Sequence, residues 1–259
     1  MKSIHLMLAI VFSFCVVNAY SQQQEQDGTT SFEIPSGPLL NSAPAFSQWI
    51  ITISYPDDKK ENGVANPSDP AKPIPENLAA RPRTITTTKT GEIIHEETVT
   101  VGGNKLENWQ INGDFYIKFP GNSFWSAYEK SGPPTSDSRV ALLPACGFRG
   151  LDWINKYTYA GKIKSASGFW LVFVPGGRET VNAQDPTKLK VLDTLPTLAY
   201  VDAETRLPVM ARADGVTRAF SFTQPPPTSL QTLPADLADE IKKGAELRAT
   251  RAAAPLKEY

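Results

Sequence analysis

Residues 84–119 read TITTTKTGEIIHEETVTVGGNKLENWQINGDFYIKF. Three turn signals cut this stretch: Thr90-Gly91, Gly102-Gly103-Asn104 and Asn112-Gly113. Asn-Gly between two alternating runs is the strongest short hairpin signal, because both residues tolerate positive φ. The runs between the turns are rich in Thr, Ile, Val and aromatic residues, which fit a pleated, half-buried surface. The stretch therefore predicts an antiparallel meander with strands over 84–89, 92–101, 105–111 and 114–119. Trp109 and Ile111 share one face of their strand, and Phe115, Ile117 and Phe119 share one face of theirs. The expectation is a sheet with one apolar and one wet face.

Working outward, residues 46–55 alternate with a period of two and read as a further strand. Between it and the meander, residues 56–83 carry Pro67, Pro70, Pro73, Pro75 and Pro82. Each Pro removes a backbone donor and fixes φ, so these residues are expected to form an irregular insertion. Downstream, Pro133-Pro134 centre a loop over 131–137, and 151–154 read as a short helical turn. A strand pair is expected over 157–164 and 169–174. A second meander follows over 198–202, 207–213 and 217–222, with Asp214-Gly215 at its last turn. After Pro225-Pro226-Pro227, residues 234–251 read as a helix. Pro234 sits at its start, where a missing donor costs nothing. Leu233, Leu237, Ile241 and Ala245 make one narrow apolar stripe. The predicted fold is mainly β (α+β): a curved antiparallel sheet or unclosed half-barrel, with the C-terminal helix packed on it.

The amino-terminal end has a different character. Lys2, an apolar run from Leu6 to Val17, and Val17-Asn18-Ala19 at cleavage spacing read as a signal peptide over 1–19. The run is shorter than the roughly 20 residues of a membrane span, which weighs against the competing reading of an uncleaved anchor. Cys15 follows Phe14 rather than small residues, so no lipid attachment is read there. Residues 20–45 are expected to be a disordered or extended leader, Gln-rich at its start, and residues 252–259 a tail. Residues 46–251 then form a single β-rich domain interrupted at 56–83. Export places the protein outside the cytoplasm, in the periplasm or the medium, with no stable membrane span after cleavage.

Composition removes several function classes. The formal net charge of −1, with no run of basic residues, gives no long-range attraction for nucleic acid. Cys146 is the one cysteine beyond the leader region, so it forms no internal disulfide and reads as a small buried apolar side chain. His95 is likewise alone once His5 is removed, and reads as a hydrogen-bonded structural residue. With one His and one Cys, the usual zinc sets are not available. No Gly-x-Ser-x-Gly elbow, Walker loop or dinucleotide fingerprint occurs. No cofactor or metal site is read. Glu96 and Glu97 are neighbours on a strand, so they point to opposite faces and cannot act as a catalytic pair. Asp152 beside Trp153 keeps a sugar-hydrolase reading open.

The stretch Tyr200 to Pro234 resembles a known family. It holds Asp202-Ala203-Glu204-Thr205-Arg206-Leu207-Pro208, then Asp214-Gly215, Phe220-Ser221-Phe222 and Leu233-Pro234. This is similar to the last strands of bacterial outer-membrane lipoprotein-sorting and lipoprotein carrier-like proteins. The resemblance implies an unclosed half-barrel whose helices cover a cavity for acyl chains. The chain departs from the family in its Pro-rich insertion and in lacking an evident N-terminal covering helix. The leading expectation is an exported, non-enzymatic protein holding an apolar, acyl-chain-like ligand, with Trp109, Phe115, Ile117, Trp125 and Trp170 lining the site. The alternatives are an envelope scaffold with a packed core, whose partner is another envelope protein, and a carboxylate-based hydrolase of envelope sugars.

Overall fold

Asn112 and Gly113 both adopt positive φ, 53° and 89°, and close a two-residue turn between Ile111 and Asp114. That turn sets the register of the meander. The computed structural model describes residues 33–56, 76–128, 147–182, 192 and 194–253. The elements are β1 (Phe46–Ser54), α1 (Glu76–Ala79), β2 (Pro82–Thr90), β3 (Ile93–Thr100), β4 (Lys105–Ile111), β5 (Asp114–Lys118) and β6 (Ser126–Tyr128). They continue with β7 (Tyr159–Ser165), β8 (Gly168–Phe173), α2 (Gly177–Asn182), β9 (Leu198–Asp202), β10 (Pro208–Ala213), β11 (Val216–Phe222) and α3 (Ala235–Ala253). The protein is mainly β: an unclosed antiparallel sheet in the order β6-β5-β4-β3-β2-β1-β11-β10-β9-β8-β7, with a C-terminal helix. The expected signal peptide over 1–19, the expected loop at 131–137, Cys146 and most of the Pro-rich insertion lie outside the described residues.

The chain packs as two compact units, one comprising residues up to Asn41 with Gly150–Gly215, the other Ser42–Arg149 with Val216 onward. In the second unit, β1 lies between β2 and β11, with Trp49 opposite both Thr87 and Phe222. Residues directly opposite in an antiparallel pair share a face. One face therefore gathers Trp49, Ile51, Phe220 and Phe222, and Phe148 closes it. Phe148 is fully buried, its ring 5.3 Å from Trp49 and about as close to Phe220 and Phe222, at 6.1 Å each. Gly147 before it has φ 80° and runs so close to Ala43 that an added Cβ would meet the Ala43 Cβ at 3.0 Å.

In the first unit, β7, β8, β9 and β10 pair in succession. Their core holds Ala160, Ile163, Val172, Val174, Leu192, Leu195, Leu198 and Tyr200. The Asp202 turn joins β9 to β10. Its Oδ1 accepts from the Glu204 and Thr205 amides and from the Thr205 hydroxyl, at 3.1, 2.7 and 2.9 Å. These bonds hold Arg206 at φ 59°, a region a non-glycine residue enters only when its surroundings over-determine it. Asn41 closes the clamp from outside, through its amide to the Arg206 carbonyl and its side chain to the Thr205 carbonyl.

Several expectations need correction. Within the insertion, residues 76–79 are helical and β2 begins at Pro82, a place where a strand tolerates Pro because the first residue need not donate. At 151–154, where a short helical turn was expected, the chain makes a single turn closed by the Ile154 amide donating to the Leu151 carbonyl at 3.1 Å, with no helix. The one-sided meander is also wrong. Phe115, Tyr116 and Ile117 are consecutive and all buried, so β5 is covered on both faces. The cause is the Asn112-Gly113 turn, which pairs Trp109 with Tyr116 and leaves Phe115 and Ile117 on the far side.

Candidate functional site

Trp109, Ile111, Tyr116 and Trp125 lie together in the second unit, and α3 covers them through Leu237. Ile93, Leu233 and Ile241 pack at the margin. Leu237 is 0% exposed and is the only fully buried residue among the described side chains of α3. Ala245, the fourth member of the expected stripe, is exposed, and Leu247 beyond it is 59% exposed. The helix thus rests on a short seam near its start.

Two ion pairs tie α3 to β5. Lys118 Nζ meets Asp236 Oδ2 at 2.7 Å, and Arg248 Nη1 lies 3.4 Å from Asp114 Oδ2. The Lys118 ammonium also sits over the Trp125 ring, 5.2 Å from its centroid. The hydrogen bond from Lys118 holds the Asp236 carboxyl below its ordinary value of 3.8, against a smaller opposing effect of burial. The Trp125 indole N–H faces the same carboxylate, short of a full hydrogen bond, and is buried with no other acceptor. Asp236 also accepts from the Leu237 amide at 3.0 Å, so one carboxylate both sits at the positive end of the helix, in its first turn, and docks it.

His95 stands directly opposite Trp109 and stacks on it, with centroids 4.2 Å apart and planes 21° apart. Its Nε2 lies 3.0 Å from Glu107 Oε1, which also accepts the Trp109 indole N–H at 3.0 Å. The residue is hydrogen-bonded, as its isolation in the sequence implied. Glu97, directly opposite Glu107, is taken up by Lys105 at 3.2 Å. Glu96 turns to the other face, where Asn108 Nδ2 donates to it at 3.3 Å and Arg149 Nη2 lies 3.2 Å away. The two adjacent carboxylates therefore do point apart. Among the described residues, no three His, Cys, Asp or Glu side chains gather in a way that could hold a metal ion.

The five residues expected to line one site fall in three places. Trp109 and Trp125 meet beneath α3. Phe115 and Ile117 are buried on the opposite face, opposite Gln110 and Asn108. Trp170 belongs to the first unit, half-buried against the core there, with its ring 5.4 Å from Tyr200. Asp152 is exposed, and the Trp153 indole N–H donates to the Gly150 carbonyl at 2.9 Å. Lys118 and Asp236 were not singled out as site residues. Their meeting joins positions 118 residues apart, and no periodic signal links such positions. Comparison with protein-family models, with curated proteins and with solved structures gave no match for this chain. Among the described residues, no helix is long and apolar enough to cross a membrane.

Proposed function

We propose that the protein is an exported, non-catalytic binding protein, and that it takes an apolar, acyl-chain-like ligand on the sheet face beneath α3. One observation carries the reading. The aromatic surface formed by Trp109, Tyr116 and Trp125 is covered by a lightly anchored helix, seated by one fully buried side chain, the partly buried Leu233 and Ile241, and two partly exposed ion pairs. A core meant only for stability would be expected to anchor its cover along its length. Here no described side chain in the distal half of α3 is buried, and that half is tied down through the partly exposed Arg248–Asp114 pair, so lifting the helix costs chiefly the burial of Leu237 and the partial burial of Leu233 and Ile241. The resemblance over Tyr200 to Pro234 points the same way, toward acyl-chain or lipoprotein carriage in the periplasm. A non-catalytic role fits the local chemistry, because Glu97 and Glu107 are each engaged by a neighbouring side chain rather than poised as acid and base.

Native mass spectrometry of the mature protein, purified without harsh detergent, tests this reading. A bound mass matching a fatty acid or phospholipid, lost on denaturation, is the expected result. A clean unliganded mass that takes up no added lipid would overturn it.

A second reading, an envelope interaction protein, draws on the loop at 150–158 of the first unit. Hydrogen bonds among Trp153, Asn155, Tyr157 and Thr158 hold that loop, on which Tyr157 is 75% exposed. An exposed aromatic ring on a hydrogen-bonded loop is a common anchor for a protein partner.

A further inference from the structure

We infer that Lys118 and the Trp125 indole N–H form an anchor for an anionic head group, so that the site beneath α3 takes a carboxylate-bearing aliphatic ligand. The inference rests on the apolar-ligand reading above and names the ligand's chemical class. The present occupant of the site already has that chemistry. Asp236 and Leu237 are adjacent, and together they offer a carboxylate followed at once by a branched aliphatic group. The carboxylate lies 2.7 Å from Lys118 Nζ, while the aliphatic group is wholly buried among Trp109, Ile111, Tyr116 and Trp125. The chain's own helix thus fills the site with a short imitation of a fatty acid.

The surroundings favour an anion at this point. Glu107 stands directly opposite Lys118 across the β4–β5 pair, but it is held by His95 and by the Trp109 indole. Lys118 is therefore left to Asp236. The Trp125 indole N–H is a second donor, buried and turned to the same Asp236 carboxylate without completing a hydrogen bond to it. An ammonium and an indole N–H beside an apolar floor match a head group that accepts at two oxygens and carries negative charge. Charge-assisted hydrogen bonds are about twice as strong as neutral ones, so the anchor discriminates by charge as well as by shape. Asp236 then acts as an internal competitor, and an incoming carboxylate takes its place as Leu237 leaves the aromatic cluster.

Calorimetric titration of the mature protein with palmitate and with cetyl alcohol tests the inference, since the two probes share a chain and differ in charge. Palmitate binds more tightly, by about tenfold or more, as one charge-assisted hydrogen bond provides. Lys118→Met removes that preference, and it raises cetyl alcohol binding only as far as Asp236→Asn does, since both variants break the same link to the helix. Asp236→Asn raises the affinity for palmitate more than for cetyl alcohol, and carries the test alone if Lys118→Met does not fold. Equal affinities, unmoved by Lys118→Met, or an equal gain for both probes in Asp236→Asn, overturn the anchor and leave the apolar-ligand reading standing. Failure of both probes to bind either the wild type or Asp236→Asn overturns the anchor and that reading together.

Discussion

Asn108 and Gln110 flank Trp109 in sequence and point to the opposite face of β4. On their side Glu96 is 4% exposed, paired with Arg149 and bonded by Asn108. Three atoms of this layer, Asn108 Oδ1, Gln110 Oε1 and Arg149 Nε, are buried without a hydrogen-bond partner. Such a layer costs stability and depends on its one ion pair. Arg149→Leu should therefore destabilise by about 2–3 kcal/mol, less than a fully buried pair because a third of its side chain meets solvent. The double variant Glu96→Leu with Arg149→Leu should lose less than the single one, because no uncompensated carboxylate remains. Urea denaturation of the three proteins decides it, and a double variant worse than the single would contradict the account. Phe148→Ala, which empties the ring contacts with Trp49, Phe220 and Phe222, should cost about 3–5 kcal/mol by the same assay. Neither residue was legible as structural from the sequence. Phe148 and Arg149 sit in a stretch without periodicity, and a single aromatic in a loop carries no sign of what it will meet. His95 was legible, because a lone histidine on a strand has few roles open to it.

At the scale of elements, the strands of both meanders and the terminal helix could be read from alternation, turn chemistry and capping. The facing of the strands could also have been read. A two-residue turn makes its flanking residues partners, so Ile111 pairs with Asp114, and Trp109 must then face Tyr116 rather than Phe115. The expectation of one apolar side followed alternation within each strand and ignored the register between them. The elements missed outright were short: α1, β6 and α2 span 4, 3 and 6 residues, too few for any period to show. The docking of α3 gives two expectations at this scale. Leu237→Ala should weaken the helix seat by about 2–5 kcal/mol, seen as faster amide exchange confined to α3. The second concerns pH. Because the folded-state carboxyl of Asp236 is held below 3.8, its contribution is complete above that value and is lost as pH falls through the lowered one. Acidification below about pH 4 should therefore loosen α3, followed through the exchange of its amides. Asp236→Asn should abolish this response. An identical acid response in that variant would contradict the assignment.

At the scale of the whole molecule, the mainly β architecture with a terminal helix was predicted and found, because it rests on many concordant local signals. The site was less legible. Trp109 and Trp125 were named and do meet. Phe115, Ile117 and Trp170 were named for the same apolar character and lie elsewhere. Apolar character identifies what is buried, while the pairing of strands and the path of the helix decide which buried groups share a surface. The charged partners Lys118 and Asp236 depend wholly on that tertiary path. The proposed acyl-chain ligand would lodge against the two tryptophans beneath α3. Quenching of tryptophan fluorescence by a fatty acid brominated along its chain tests this most directly, since bromine quenches on close contact. Saturable quenching in the wild type, largely lost when Trp109 and Trp125 are both replaced by Phe, is the predicted result. Quenching that persists undiminished in that variant, or no saturable quenching at all, would contradict the account.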